Sequence, residues 1–389
     1  MAKSKMIYNN LILNNKIWDR LKIINKKKKI PNAILFHGPN GTGKEGHAIE
    51  FAALINCQSN LDNPCGSCGS CIRIKNLSDE NLNIIFPMPR GKITSKKDNS
   101  IKALSDKEID IISTLYKQKA INPYKRIVLE KSKTILINSI IDLKKKIYFS
   151  NELNRYKVVL ILDAEKLSFP NNESANALLK ILEEPPERTC FILISSSENK
   201  IIETIKSRCQ SYFFPPLSHD NVQLLLDRMS TDQDITKLIS AISDGNISFA
   251  QEILNANYDC KLDLQHTIRS IYKKDSISWV YILKKMTDNP TKNTIKYYFS
   301  LFRIVIRDLK LYSTTKNITN ILLESYIDIY KNFVANRKNS MYNDCINCIN
   351  KSSDMFNRNG YKPIVIWTML IEINDLMNNI QRIDKYYRP

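Results

Sequence analysis

Apolar runs and helix-period stripes predict different structures in the two parts of the chain. Up to residue 216, runs of β-branched and Leu residues predict buried parallel strands, because polar residues do not interrupt them. These runs lie at 33–36, 158–162 and 191–194, with a shorter one at 84–86. Helical periodicity separates them over 7–30, 47–57, 134–148 and 174–184. Alternating strands and helices predict a doubly wound α/β domain with a parallel sheet.

The N-terminal helix and the lysine-rich middle of this part differ in pattern. The helix over 7–30 is expected to place Trp18, Leu21, Ile23 and Ile24 on its apolar side. Residues 88–131, in contrast, are polar and without a clear period. We expect 88–131 to be exposed and partly mobile.

From residue 217 onward only helical periodicity occurs, with breaks near Gly245, Pro290 and Gly360. The pattern predicts a small helical module over 217–258 and a larger one over 262–385, with an apolar face at Tyr298, Leu301, Phe302 and Val305. We therefore expect three domains, over 1–216, 217–258 and 259–389.

A phosphate-binding loop is predicted at 38–45, GPNGTGKE, which fits G-x-x-x-x-G-K-[ST] at every position except the last. It joins a predicted strand to a predicted helix, as such loops do. Its glycines allow backbone N–H groups to surround phosphate oxygens, and its lysine can reach the terminal phosphates. Glu45 stands in place of the hydroxyl that would hold Mg²⁺. The candidate nucleotide-binding residues are Gly38, Gly41, Gly43, Lys44, Glu45 and Asp163, the last at the end of the second strand run.

Four cysteines predict a metal site at 57–71. Cys57, Cys65, Cys68 and Cys71 have the spacing C-x7-C-x2-C-x2-C, and Gly66 and Gly69 permit tight turns. Four thiolates can close a tetrahedral Zn²⁺ site with no open position, which would hold a fold rather than catalyse. An iron–sulfur cluster and metal-free thiols are the alternatives, although Lys75 stands where the ferredoxin pattern needs a fourth cysteine. Cys345 and Cys348 are expected to be core cysteines.

Charge and hydropathy restrict the partners and the compartment. Lys and Arg number 58 against 39 Asp and Glu, a net charge of +19. This suits a polyanionic partner such as nucleic acid, and a general bias toward Lys, Asn and Ile is the other explanation. No apolar run approaches the roughly 20 residues of a membrane span, and asparagines interrupt the N-terminal apolar stretch that a signal peptide would need. We expect a cytoplasmic protein with no membrane partner.

Taken together, the motifs resemble the bacterial replicative clamp loader, an AAA+ family within the DNA polymerase III holoenzyme. The P-loop, the cysteines after its helix and the run 174–186, SANALLKILEEPP, carry the resemblance, and Ser207-Arg208-Cys209 extends it. It covers about residues 7–90 and 134–258, so that about 92–131 is an insertion. The resemblance implies a P-loop AAA+ domain, a helical lid over 217–258 and a helical collar for oligomerisation over 259–389.

The catalytic positions separate two kinds of subunit within this family, the gamma/tau ATPase and the delta-prime subunit. Hydrolysis needs a hydroxyl and an Asp for Mg²⁺, and a carboxylate after that Asp to orient water. Glu45 replaces the hydroxyl, and Ala164 follows Asp163. Glu165 is one position too far and, if the strand continues, points to the opposite face. The resemblance places Ser248 where gamma/tau has an arginine for the γ-phosphate. ATP and Mg²⁺ binding is therefore uncertain, and hydrolysis is not expected.

The resemblance gives Arg208 a role in a neighbouring subunit. In the family, this arginine projects into the adjacent ATP site, where its guanidinium stabilises charge on the γ-phosphate. We expect a delta-prime-like stator that donates this arginine finger in trans. Its expected partners are the gamma/tau ATPases and the delta subunit, with the sliding clamp and primed DNA bound through the assembled complex.

Two other functions stay open at this stage. The chain could be an active gamma/tau ATPase in which Glu165 or another carboxylate orients the water; the lack of a Pro-rich extension after the expected collar argues against this. It could also be a DNA-binding module that uses its positive charge, with the lysine-rich stretch as the place to look. Mg·ATP turnover would favour the first, and tight, salt-dependent duplex binding the second.

Overall fold

The computed structural model describes residues 6–59, 62–92, 95–96, 98–148, 155–256, 258–288, 290–318, 320–337, 341–358 and 360–378. The chain folds into two compact units, 1–216 and 217–389. A further division after residue 258 stays a prediction. Residues 60 and 61 of the cysteine segment, and the predicted helical residues 379–385, lie outside the described residues.

A parallel sheet of five strands, counted over the described residues, forms the centre of the first unit. The strands are β1 (Ala33–His37), β2 (Leu82–Ile85), β3 (Lys157–Ile161), β4 (Thr189–Ser195) and β5 (Gln210–Phe213), in the spatial order β2-β3-β4-β1-β5. The three longer predicted runs form β1, β3 and β4 and are buried, as expected for continuous apolar strands. The shorter run at 84–86 overlaps β2. The predicted parallel α/β fold is confirmed. β5 was not predicted, because polar and exposed residues begin it.

Helices cover both faces of this sheet. In the described residues they are α1 (Asn15–Lys26), α2 (Lys44–Ile55), α3 (Gly69–Lys75), α4 (Asp106–Ile121), α5 (Ile137–Ile147), α6 (Glu173–Glu183) and α7 (Glu203–Lys206). Alternate residues of β1 enter different apolar cores: Ile34 and Phe36 pack with α1 and α2, and Leu35 with α5 and α6. Because all strands run parallel, their carboxyl ends lie along one edge, where ligand sites of such sheets occur.

The N-terminal helix is shorter than predicted. α1 begins at Asn15 rather than near residue 7. The buried carboxylate of Glu50 holds the preceding segment, accepting the backbone N–H groups of Ile7 and Tyr8 at 3.2 and 2.8 Å. Ile23, predicted to be on the apolar side, is 50% exposed. The start of the helix was predicted wrongly because one helical stripe was extended through a segment that is held in another conformation. Ile23 is exposed because the buried face of α1 carries Ile17, Trp18 and Leu21 instead.

The segment predicted to be exposed and irregular, 88–131, contains the ordered helix α4. A capping box starts it, in which the side chains of Ser105 and Glu108 each accept the other's backbone N–H. Ile112, Leu115 and Tyr116 then pack against the core, with Ile112 and Tyr116 near β2 and α5. The prediction missed the helix because the lysines and acids of the outer face obscured this i, i+3, i+4 stripe. Most residues of α4 are exposed, as expected.

The second unit is helical throughout its described residues, as predicted. Its helices are α8 (His219–Leu226), α9 (Gln233–Ser243), α10 (Ile247–Asn255), α11 (Cys260–Tyr272), α12 (Ser276–Thr287), α13 (Lys292–Thr315), α14 (Ile327–Asn336), α15 (Tyr342–Asn357) and α16 (Lys362–Met377). The predicted apolar face of α13 is buried. Among the helices of the described residues in both units, none has the length and apolar character to cross a membrane.

Candidate functional site

The P-loop connects β1 to α2 at the carboxyl edge of the sheet. Gly43, immediately before α2, has φ 85° in the left-handed region, which lets the chain turn into the helix. Gly38 has φ 134°, and a Cβ there would lie 2.2 Å from the carbonyl oxygen of Phe214. Glycine is therefore required at both positions by the shape of the loop itself.

Lys44 folds back onto this loop. Its Nζ donates to the carbonyl oxygens of Gly38, at 2.6 Å, and Pro39. Burial lowers the pKa of Lys44 to about 8, and the nearby carboxylate of Glu45 opposes this shift. The lysine thus contacts its own loop at the position from which it would reach a phosphate.

Glu45 forms an ion pair with Lys119 of α4. The side chain of Lys119 is only 1% exposed. Its Nζ also donates to the carbonyl oxygens of Pro123, at 2.7 Å, and Lys125, at 2.8 Å. A residue of the predicted insertion therefore neutralises the carboxylate at the last position of the P-loop motif.

Asp163, expected to be the second Mg²⁺ ligand, is also paired with cations of the chain. Its Oδ1 lies 2.6 Å from Nη2 of Arg126, and its Oδ2 lies 3.2 Å from Nζ of Lys166. Asp163 has φ 50°, a left-handed conformation that Asp tolerates better than most residues. Ala164 follows, at the position where the resemblance to ATPases of the family expects a water-orienting carboxylate.

Glu165 was expected to point to the opposite face only if the strand continued through it, and the strand does not continue. The strand ends before it, because Asp163 turns the chain into a 3₁₀ helix over Ala164–Ser168. The Glu165 carboxylate accepts the hydroxyl groups of Ser195 and Ser196, each at 2.7 Å. It therefore lies at the carboxyl end of β4, beside the phosphate loop.

His47 connects the P-loop helix to the N-terminal segment. Its Nε2 lies 2.9 Å from the backbone N–H of Asn14, which can only donate, so the ring proton is on Nδ1. That proton is donated to the Gly43 carbonyl oxygen at 2.8 Å. Burial lowers the pKa of His47 to about 4, and the neutral ring is held between the two segments.

These residues do not fit a Mg²⁺·nucleotide complex as they stand. A P-loop site offers free oxygen ligands to Mg²⁺ and a free lysine to the phosphates. Here Glu45 and Asp163 each accept from a cation of the chain, and Lys44 donates to its own loop.

The four predicted cysteine ligands lie together beside α3. All four Sγ atoms are within 4.8 Å of one another, and those of Cys65 and Cys71 are 3.9 Å apart. A tetrahedral site with Zn–S bonds of about 2.3 Å separates its sulfurs by about 3.8 Å. The sulfurs of Cys57, Cys65 and Cys68 each also accept a backbone N–H from another cysteine of the cluster. The cluster can bind a metal ion.

Arg208 lies at the surface, away from the P-loop, between α7 and β5. Its Nη2 is 2.9 Å from Oε1 of Glu183, and its Nη1 donates to the carbonyl oxygen of Thr204 at 3.0 Å. Both ion-pair partners are partly exposed, and pairs of that kind contribute only about 0–1 kcal/mol. A stronger anionic partner can therefore draw the guanidinium away from Glu183.

Comparison with known proteins identifies the family. Residues 13–218, more than half of the chain, match the family described as "DNA polymerase III, delta subunit". The chain belongs to this family of clamp loader subunits. DNA polymerase III subunit tau of Bacillus subtilis (strain 168) is 25% identical over 325 residues, which are 78% of this chain and 49% of that protein.

Other relatives include both kinds of subunit and more distant proteins. DNA polymerase III subunit delta' of Bacillus subtilis is 28% identical over 228 residues, covering 59% of this chain and 55% of that protein. Protein STICHEL-like 4 of Arabidopsis thaliana is 25% identical over 334 residues, covering 82% of this chain and 29% of that protein. This clamp loader subunit thus spans about half or less of the length of the curated relatives it matches.

The structure groups most of the predicted nucleotide-site residues and adds two that were missed. Lys119 and Arg126 come from the insertion, which the motifs did not cover. The capping box at Ser105 predicts the helix that carries Lys119, but no sequence signal pairs Lys119 with Glu45. Ser248 lies in the first turn of α10, in the other unit, and its correspondence to the gamma/tau arginine stays a prediction.

Proposed function

We propose that this clamp loader subunit is of the delta-prime type, a non-catalytic stator that donates Arg208 to the ATP site of a neighbouring subunit. It would act in the cytoplasm with gamma/tau ATPases and a delta subunit, in loading a sliding clamp onto primed DNA. One observation carries the proposal: the chain's own phosphate site lacks a hydrolytic arrangement, while its candidate finger remains at the surface.

The phosphate site supports the first half of this proposal. Glu45 and Ala164 stand where an ATPase needs a hydroxyl and a water-orienting carboxylate. Losing a water-orienting group costs several kcal/mol of barrier, at about 1.4 kcal/mol per tenfold in rate. The residues that remain, Lys44 and Asp163, hydrogen-bond within the chain.

Arg208 supports the second half. Its guanidinium is held by a partly exposed acid and one backbone carbonyl, so it is positioned without being buried. A planar and permanently charged group can bind two oxygens of a γ-phosphate at once. It would stabilise charge as that phosphate departs, and this needs no nucleotide in the donor subunit.

We also propose that the cysteine cluster holds one structural Zn²⁺. The sulfur separations fit a tetrahedral site, and four protein ligands leave no open coordination position. The ion would fix the segment between α2 and α3.

The proposal is tested in a reconstituted clamp loader containing this chain, its gamma/tau and delta partners, the clamp and primed DNA. Arg208→Ala should leave assembly intact and lower the clamp-stimulated ATPase rate. Arg208→Lys should not restore the rate, because an ammonium cannot bind two oxygens in the fork geometry of a guanidinium. Lys206→Ala, which removes a neighbouring cation, serves as the control. An ATPase rate unchanged by Arg208→Ala would remove the finger.

An active gamma/tau-type ATPase is the second candidate, because Glu165 lies at the edge of the phosphate site. In that case Glu165 would have to leave Ser195 and Ser196 to orient a water. Substituting Glu165→Gln keeps the side chain's size and removes its charge. Mg·ATP turnover by the isolated chain that Glu165→Gln abolishes would establish this candidate in place of the stator.

A further inference from the structure

We propose that residues 119–126, the closing segment, shut the phosphate site of this subunit against Mg²⁺·nucleotide, with Lys119 and Arg126 standing in for the metal ion. The inference rests on the proposed function in one respect, that this site does not hydrolyse ATP. It goes further, since a site can lose hydrolysis and still bind nucleotide. It also gives a role to the insertion.

Lys119 uses all of its hydrogen-bond donors in holding Glu45 and the closing segment. An ammonium group has three donors, and those of Lys119 go to the Glu45 carboxylate and to the carbonyl oxygens of Pro123 and Lys125. The two carbonyls belong to the closing segment itself, so the same cation that neutralises Glu45 also folds the segment around it. Releasing Glu45 to a metal would leave a buried lysine without its charged partner.

Arg126 does the same for Asp163 from the other end of the segment. It lies 2.6 Å from Oδ1, while Lys166 lies 3.2 Å from Oδ2, so that both carboxylate oxygens accept from a cation. Mg²⁺ in nucleotide sites is commonly held by one or two carboxylates together with the phosphates. Here a metal ion would have to displace a guanidinium before it could bind.

The middle of the segment covers the first turn of α2, where the phosphates of a P-loop ligand meet the helix N-terminus. A Cβ on Gly46 would lie 2.9 Å from Cβ of Pro123, and one on Gly43 would lie 3.3 Å from the ring of Tyr124. The hydroxyl of Tyr124 accepts the backbone N–H of Ile12 at 2.8 Å. The segment is thus fastened to the N-terminal segment and to the P-loop helix at once.

This arrangement predicts that repairing the P-loop motif is not sufficient for binding. Restoring a hydroxyl by Glu45→Thr leaves Arg126 on Asp163 and Pro123 on the helix. Removing the two cations as well should open the site. The relevant comparison is therefore between proteins that share Glu45→Thr and differ in which cations they lose.

Equilibrium binding of Mg²⁺ with the fluorescent analogue mant-ATP tests this on the full chain. The opened protein carries Glu45→Thr, Lys119→Met and Arg126→Ala. The matched control carries Glu45→Thr, Lys117→Met and Lys125→Ala, which remove two exposed cations, one just before the segment and one within it, while the Lys125 carbonyl is kept. Wild type and control should not saturate up to about 1 mM, and the opened protein should bind at least about tenfold more tightly.

Two results would overturn the inference. One is wild-type binding with a Kd below about 0.1 mM that Lys44→Ala weakens. The other is an opened protein that melts cooperatively and still fails to bind. Should the opened protein not fold, hydrogen exchange on wild type decides: protection of 119–126 should be unchanged by Mg·ATP, and a change refutes closure. Nucleotide binding by the wild-type chain without phosphate release would contradict closure of the site but not the stator assignment. Phosphate release that Lys44→Ala abolishes would contradict the stator assignment.

Discussion

Replacing Lys119 by Met should unfold the first unit at markedly lower denaturant concentration. Lys119 is 1% exposed and its partner carboxylate on Glu45 is 16% exposed, so the pair is not screened as a surface pair would be. Burial lowers the pKa of Lys119, and the Glu45 carboxylate opposes this shift. Breaking such a pair from one side costs about 3–5 kcal/mol, because the remaining charge is left uncompensated.

A double-mutant cycle separates the pair from the lost packing. Glu45→Gln and Lys119→Met, combined, should cost less than the sum of the two single changes, because neither charge is then left alone. Lys117→Met is the matched control: it makes the same replacement two residues away on an exposed position of α4 and should stay within about 0.5 kcal/mol.

Urea unfolding at pH 7, followed by tryptophan fluorescence, measures these changes. Trp18 reports the first unit, while Trp279 and Trp367 belong to the second. Each variant is therefore made in a background in which those two are replaced by Phe, since a chain of two units need not unfold in one step. A cost for Lys119→Met no larger than that for Lys117→Met would refute the buried pair.

Two further predictions concern other parts of the first unit. Elemental analysis should find about one zinc per chain, and Cys68→Ser should remove it and lower the melting temperature; iron, or zinc retained by the variant, would contradict the four-thiolate site. Burial lowers the pKa of His47 from 6.5 to about 4. Between pH 4 and 6.5 only the unfolded chain binds this proton, so as the pH rises through that range His47 should raise the free energy of unfolding by at most about 3 kcal/mol. Burial raises the pKa of Glu50 from 4.5 to about 7, so Glu50 lowers the free energy of unfolding as the pH rises through that range. The contribution of His47 is therefore taken as the difference between the pH profiles of the wild type and His47→Gln, and parallel profiles would contradict it.

Features that depend on neighbouring residues in the sequence could be predicted. The strands β1, β3 and β4 are continuous apolar runs, and the P-loop and cysteine positions follow from local spacing. The beginning of α4 also has a local signal, the capping box at Ser105, although lysines on the outer face obscured the stripe that follows.

Pairings between distant residues could not be predicted in this way. Lys119 and Glu45 are 74 positions apart, and Arg126 and Asp163 are 37 apart. Nothing in either local pattern specifies the partner, because charged side chains outnumber buried pairs many times over. The position of Glu165 likewise depends on where β3 ends: the chain turns at Asp163 into a 3₁₀ helix, so strand alternation does not apply to Glu165.

The most direct test of the stator assignment is phosphate release from Mg·ATP by the purified chain, alone and within the reconstituted loader. With Lys44→Ala introduced into this subunit only, both rates should equal those of the wild-type protein, since its own site contributes no turnover. A rate that Lys44→Ala abolishes in the isolated chain would contradict the assignment and identify an active ATPase.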